Sequence, residues 1–115
     1  MKQKDTITFE DFEKIDIRVG TILQACVFEK ANKPAYQLYI DFGEPIGIKK
    51  SSAQITDLYN TTELVGKQIV AVINFKPKQI ANFISECLVL GVMGSNKQVT
   101  LISPTFPVTN GDCIA

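Results

Sequence analysis

Hydrophobic positions along most of this chain recur with a period of two, the spacing that puts alternate side chains on one face of a β-strand. The opening is the exception. Thr8 can cap a short helix, Asp11 lies at the capping-box distance, and Phe9, Phe12 and Ile15 share one helical face. From Ile15 the alternation begins, runs to Val19, is interrupted by Gly20 and resumes over Thr21 to Phe28. A glycine inside a strand pattern predicts a bulge or bend there. Lys30 to Pro34 reads as a loop and Tyr36 to Phe42 as a second strand with Leu38, Ile40 and Phe42 on one face. Gly43-Glu44-Pro45 turns the chain into a third strand, Ile46 to Ser52.

Asp57 to Gly66 reads as a short helical or irregular connection with a glycine stop. Lys67 to Phe75 is the fourth strand, built on the β-forming run Ile69 to Ile73. Pro77 breaks the pattern, and Lys76 to Phe83 reads as a loop or one helical turn. A fifth strand, Leu88 to Val92, turns at Gly94-Ser95-Asn96 into a sixth, Val99 to Ile102, before a tail from Pro104 to Ala115. The fold class is all-β. Five core strands, a bend in the first and a helical link between the third and fourth predict a Greek-key barrel of the OB-fold type. An SH3-like barrel is the alternative, disfavoured by the length of that link.

Composition narrows the chemistry. At 115 residues the chain is expected to form one domain, with a core over about 12–93 and extensions at 1–11 and 94–115. It has no histidine, which removes the commonest general base and the commonest zinc ligand. Cys26, Cys87 and Cys113 have no paired spacing, so no metal site or cofactor is expected. No catalytic residue is assigned: Asp11, Glu13 and Asp16 read as surface, and Arg18, on the same strand face as Asp16, as forming an ion pair or contacting a partner, with the structural role favoured. The N-terminus has no apolar stretch of signal-peptide type, and no run approaches the ~20 residues a membrane-spanning helix needs. Asn60-Thr61-Thr62 matches a glycosylation acceptor by accident on that reading. The expected location is cytoplasmic, without membrane insertion.

Net charge is zero, but unevenly distributed. Residues 1–29 carry −2, residues 30–97 carry +3 and residues 98–115 carry −1. The lysines pair as Lys30/Lys33, Lys49/Lys50 and Lys76/Lys78 at expected loops and strand ends. They stand either as ordinary solvated lysines or as a phosphate-binding rim. Tyr36, Tyr39, Phe75 and Phe83 flank Ser51, Ser52, Gln54, Asn74 and Ser85, a mixture suited to stacked bases or extended peptide. Tyr39 alternates away from Leu38 and Ile40, and Phe75 is the preferred exposed anchor, while Tyr36 and Phe83 fit the core equally well. Phe9, Phe12, Phe106, Val108 and Ile114 lie outside the five core strands and predict a dimer interface.

The run Phe12-Glu13-Lys14-Ile15-Asp16-Ile17-Arg18-Val19-Gly20 resembles the opening motif of the tRNA-binding OB domains. Ala35 to Tyr39, Leu64 to Lys67 and Val72 to Lys78 keep step with that family. Ile40 to Gly43 leading into Ile46 to Thr56, Asn74-Phe75 with Ile80-Ala81, Ser85-Glu86 before Leu88 to Gly91, and Pro107 to Gly111 are similar to its bacterial export-related chaperones. The resemblance implies a homodimer that binds unfolded or precursor polypeptides and assists export, with the SecA translocation ATPase and tRNA as candidate partners. Carried onto this chain, the peptide- or RNA-binding residues are Lys33, Gln37, Tyr39, Lys49, Lys50, Ser51, Ser52, Gln54, Asn74, Phe75, Lys76, Lys78 and Ser85. Two positions depart from the tRNA-binding pattern. Many relatives have lysine where this chain has Gln37, and a Ser-x-Gly-Met segment where it has Ser85-Glu86-Cys87-Leu88. A lost cation and an added carboxylate weaken phosphate contacts more than peptide contacts.

Overall fold

The structure, a computed structural model, describes residues 2–115. Its longest strand, β1 (Ile17–Val27), has two neighbours in turn. The first half pairs antiparallel with β4 (Gln68–Val72), from Ile17 opposite Val72 to Thr21 opposite Gln68. The second half pairs with β2 (Tyr36–Asp41), from Thr21 opposite Asp41 to Val27 opposite Tyr36. β3 (Ile48–Ala53) extends the sheet beyond β2, and β7 (Leu88–Val89) extends it beyond β4, giving the order β3-β2-β1-β4-β7. The two end strands then approach each other: the buried Ser51 hydroxyl on β3 donates to the Cys87 carbonyl at 2.9 Å. The result is the expected OB-type barrel, five antiparallel strands and nearly closed.

Alternation explains the core. On β2, Tyr36, Leu38 and Ile40 are buried while Gln37, Tyr39 and Asp41 between them are partly exposed. Ile22, Phe42, Leu64 and Ile69 complete the fully enclosed centre. The bend in β1 is not the bulge expected at Gly20. The register slips three residues later, between Ile22 and Gln24. Gly20 instead makes room: a Cβ there would stand 2.7 Å from Ile40 Cγ2 and 2.8 Å from the Phe42 ring.

The opening helix α1 (Phe9–Glu13) has the expected cap, with Thr8 Oγ1 accepting the Asp11 N–H and Asp11 accepting the Thr8 N–H. The link before β4 contains helix α2 (Thr61–Leu64), capped by Asn60 and Glu63. Three segments differ from expectation. Lys76 to Phe83 is not a loop or helical turn; it carries most of a β-hairpin, β5 (Lys78–Ile80) and β6 (Phe83–Ser85), turned through Ala81 at φ +51°. The turn has no glycine or proline to announce it, and what fixes the hairpin is Phe83 packing edge-on against Phe28 and Tyr39. The expected fifth strand divides at Leu90 into β7 and β8 (Gly91–Met93), the latter pairing with β9 (Val99–Leu101). β4 stops at Val72 and not at Phe75, because Asn74 turns aside to bind the end of α1.

The tail returns to its own barrel. Val19 N–H donates to the Asp112 carbonyl at 2.9 Å, Gly111 N–H to Val19 at 2.7 Å and Ile114 N–H to Ile17 at 3.0 Å. It therefore lies along the half of β1 that β2 leaves uncovered. Phe9 and Phe106 remain strongly exposed, at 70% and 77%, Val108 and Ile114 are exposed as well, and Phe12 is half-buried.

Candidate binding groove

The register of β2 and β3 decides which backbone groups of β3 face outward. Phe42 N–H donates to Gly47, so residues 49, 51 and 53 bond to β2, and residues 50, 52 and 54 turn their N–H and C=O toward the gap before β7. The segment after the β5–β6 hairpin fills part of this edge. Glu86 N–H donates to the Lys50 carbonyl at 2.7 Å, Lys50 N–H donates to Glu86 Oε1 at 2.9 Å, and Ser52 N–H donates to Ser85 Oγ at 3.1 Å.

Beside this seam lies a groove of about 640 Å³. The hairpin and its approach supply Phe75, Lys76, Lys78 and Ile80, β3 and the residue after it supply Ser52 and Gln54, and Ser85 to Leu88 close the far wall. A second hollow of about 360 Å³ shares Ser52, Gln54 and Leu88 with it and continues along β7 toward Met93 and Val99. Apolar floor and cationic rim are thus combined: Phe75 is 55% exposed and Leu88 is exposed, beside two exposed lysines. Of the other hollows, one of about 370 Å³ under Pro104 to Pro107 has one lysine, and its Tyr59 hydroxyl already accepts the Leu101 N–H, while one of about 460 Å³ lies between α1 and the tail, lined by Phe9, Phe12, Lys14 and Ile114.

Of the residues assigned from sequence, Ser52, Gln54, Phe75, Lys76, Lys78 and Ser85 come together in this groove. Gln37 stands opposite Ser52 and Tyr39 opposite Lys50 in register, so these four share the outer face of the sheet. Lys50 is drawn over the Phe83 ring, 5.3 Å from its centroid, a cation–π contact that braces the hairpin. Lys33 is exposed in the loop before β2 and lines neither hollow of the seam.

Three assignments need correction. Ser51 is 1% exposed and its hydroxyl is engaged with Cys87, so it holds the barrel and does not meet a ligand. Asn74 uses both ends of its amide, accepting the Asp16 N–H at 3.0 Å and donating to the Lys14 carbonyl at 2.8 Å. It is a clasp for α1. Lys49 stands opposite the buried Ile40, on the inner side of β3, and does not line the groove. Sequence reasoning missed Ile80, Glu86, Cys87 and Leu88. Their signal was weak because they lie in and after strands of two or three residues.

Two ionisable groups of the barrel are shifted by their surroundings. Burial pushes the Cys87 thiol up to about 12, which keeps it protonated and non-nucleophilic. Asp16 accepts from Arg18 Nε at 2.6 Å, and this bond raises the guanidinium above its ordinary value. No group of three potential metal ligands occurs among the described residues.

Residues 17–113 match the family described as "Putative tRNA binding domain". The chain belongs to this family. Within the tRNA-binding domain family it is similar to CsaA. A crystal structure of CsaA chaperone protein from Picrophilus torridus is 55% identical with a TM-score of 0.90, covering 96% of this chain and 100% of that one. Chaperone CsaA from Bacillus anthracis is 49% identical with a TM-score of 0.91 over the same shares. Methionine–tRNA ligase of Leptospira biflexa is 37% identical over 108 residues, and that of Helicobacter pylori 36% over 115. The chain spans only 15% and 17% of those two proteins. The matched region of the tRNA-binding domain family runs from β1 into the tail and contains every residue lining the groove. Glu86, one of the two departures from the tRNA-binding pattern, turns its carboxylate onto the backbone of β3.

Proposed function

We propose that this protein is a cytoplasmic holding chaperone that binds unfolded or precursor polypeptide in the groove beside the seam. The observation that carries this is the groove itself: exposed Phe75 and Leu88, with Ile80, lie beside hydrogen-bonding Ser52 and Gln54. Extended polypeptide needs apolar pockets and backbone partners together. The similarity to CsaA chaperones supports the same reading. On this proposal the core over 12–93 binds, and the extensions at 1–11 and 94–115 form a homodimer through Phe9, Phe106, Val108 and Ile114, with Phe12 at the edge of the core. Two grooves in one particle would hold a single chain more tightly than either alone. Assistance to export, with SecA as partner, is the cellular role this binding would serve.

A second reading, tRNA binding, is favoured by membership of the tRNA-binding domain family and by Lys76 and Lys78 on the groove rim. One preparation separates the two when peptide and tRNA binding are measured across a salt series. Peptide binding with a shallow salt response supports the chaperone reading. If tRNA alone binds, with a log–log slope of roughly −3 to −5 from neutralising about four to six phosphates, the order reverses.

A further inference from the structure

We infer that the occupant of the groove is an extended segment that adds as a strand to the edge of β3, with apolar side chains alternating with acidic ones. This rests on the polypeptide reading of the groove. The Ser85–Glu86 elbow already behaves as a surrogate strand: it takes the N–H and C=O of Lys50 and the N–H of Ser52. Beyond it the edge is bare. Among the described residues no hydrogen bond reaches the N–H or carbonyl of Gln54. Across the seam, Leu90 N–H donates to Val70, which leaves the Val89 N–H and C=O turned away from β4. An unpaired edge is a template for another chain, and this one borders both hollows of the seam. The elbow fixes where pairing can begin, so an incoming strand engages from Ser52 toward Ile55.

Charge selects the side chains. Lys76 and Lys78 are the cations of the lining, and its single carboxylate, Glu86, is bound to the Lys50 N–H. Phe75, Ile80 and Leu88 offer the apolar surface. A strand whose alternate residues face these two environments matches the groove with every second position acidic. Nucleic acid has the negative charge but lacks the regularly spaced amide donors that a sheet edge pairs with.

The test uses the full chain and a labelled peptide of about six residues, a usual strand length, alternating valine and glutamate. One version is N-methylated at the valines and another at the glutamates, removing alternate donors. Strand addition predicts that one methylation pattern lowers affinity about tenfold or more while the other stays within about twofold. Equal effects of the two patterns would overturn it while leaving peptide binding intact. A valine–lysine peptide should bind at least about tenfold more weakly than the valine–glutamate one, and Lys76→Glu/Lys78→Glu should reverse that order. Equal affinity of the two peptides would remove the acidic preference. If no peptide binds while tRNA does, the polypeptide reading itself fails.

Discussion

Around β1 the barrel is held by backbone ladders, interrupted once at the slip between Ile22 and Gln24, whereas between β3 and β7 it is held mainly by side chains. On the first side β2, β1 and β4 exchange main-chain hydrogen bonds over their paired lengths, with Ile22, Ile40 and Phe42 packed beneath. On the second side the ties are the Ser51 hydroxyl, the Ser85 hydroxyl and the Glu86 carboxylate, supplemented by one main-chain bond from Glu86 to Lys50. A ladder leaves no edge to offer. A seam tied by side chains closes the barrel enough to fold and leaves backbone groups beside it open to a partner. Stability and the proposed binding are therefore assigned to different halves of one small sheet.

The sharpest way to break that division is Phe42→Ala. It removes a fully buried ring from the ladder side and should cost about 3–5 kcal/mol, read by denaturant unfolding. Peptide affinity of the fraction that remains folded should be unchanged; a matching loss of affinity would mean that core and groove are one unit. Next in size is the response to alkali. Cys87 lies at the seam, with its thiol raised from an ordinary 9.0 to about 12 by burial. The folded state keeps that proton after the unfolded chain has lost it. Its contribution is complete below pH 9 and is lost as pH rises toward 12, at no more than about 1.4 kcal/mol per pH unit. Cys87→Val should make the fall in stability over that window shallower, and an unaltered slope would assign the fall to other groups. The smallest expected stability effect is that of Phe75→Ala, within about 0.5 kcal/mol because the ring is 55% exposed. Its peptide affinity should nevertheless fall about tenfold, as for an interface anchor; a large drop in Tm would return Phe75 to the core.

The ladder side was legible because each of its strands is long enough to display a period. β2 shows three full alternations, and the buried residues Tyr36, Leu38 and Ile40 follow from them. The capped helix α1 was legible for the same local reason, since Thr8 and Asp11 bond each other across one turn. The seam side was not. β5, β6 and β7 have two or three residues each, too few to reveal a period, and their placement comes from contacts distant in sequence, such as Phe83 with Phe28. Groove residues of a recognisable kind, Phe75, Lys76 and Lys78, could be named from their chemistry, but Ile80 and Leu88 could not. Ser51 and Asn74 look like ligand-contacting polar residues in sequence, and only their bonds to Cys87 and to α1 reveal them as fasteners.

The position of Asn74 has a mechanical consequence. Its amide rivets the end of α1 to the barrel, and the next residue along the chain is the groove's Phe75. The helix that displays Phe9 outward is thus held by a residue one peptide bond from the aromatic that lines the groove. A load that levered α1 away would strip both amide bonds from Asn74 and slacken the stretch that aims Phe75. The outer face of the helix and the floor of the groove are joined as the two arms of a lever are joined, through one short asparagine.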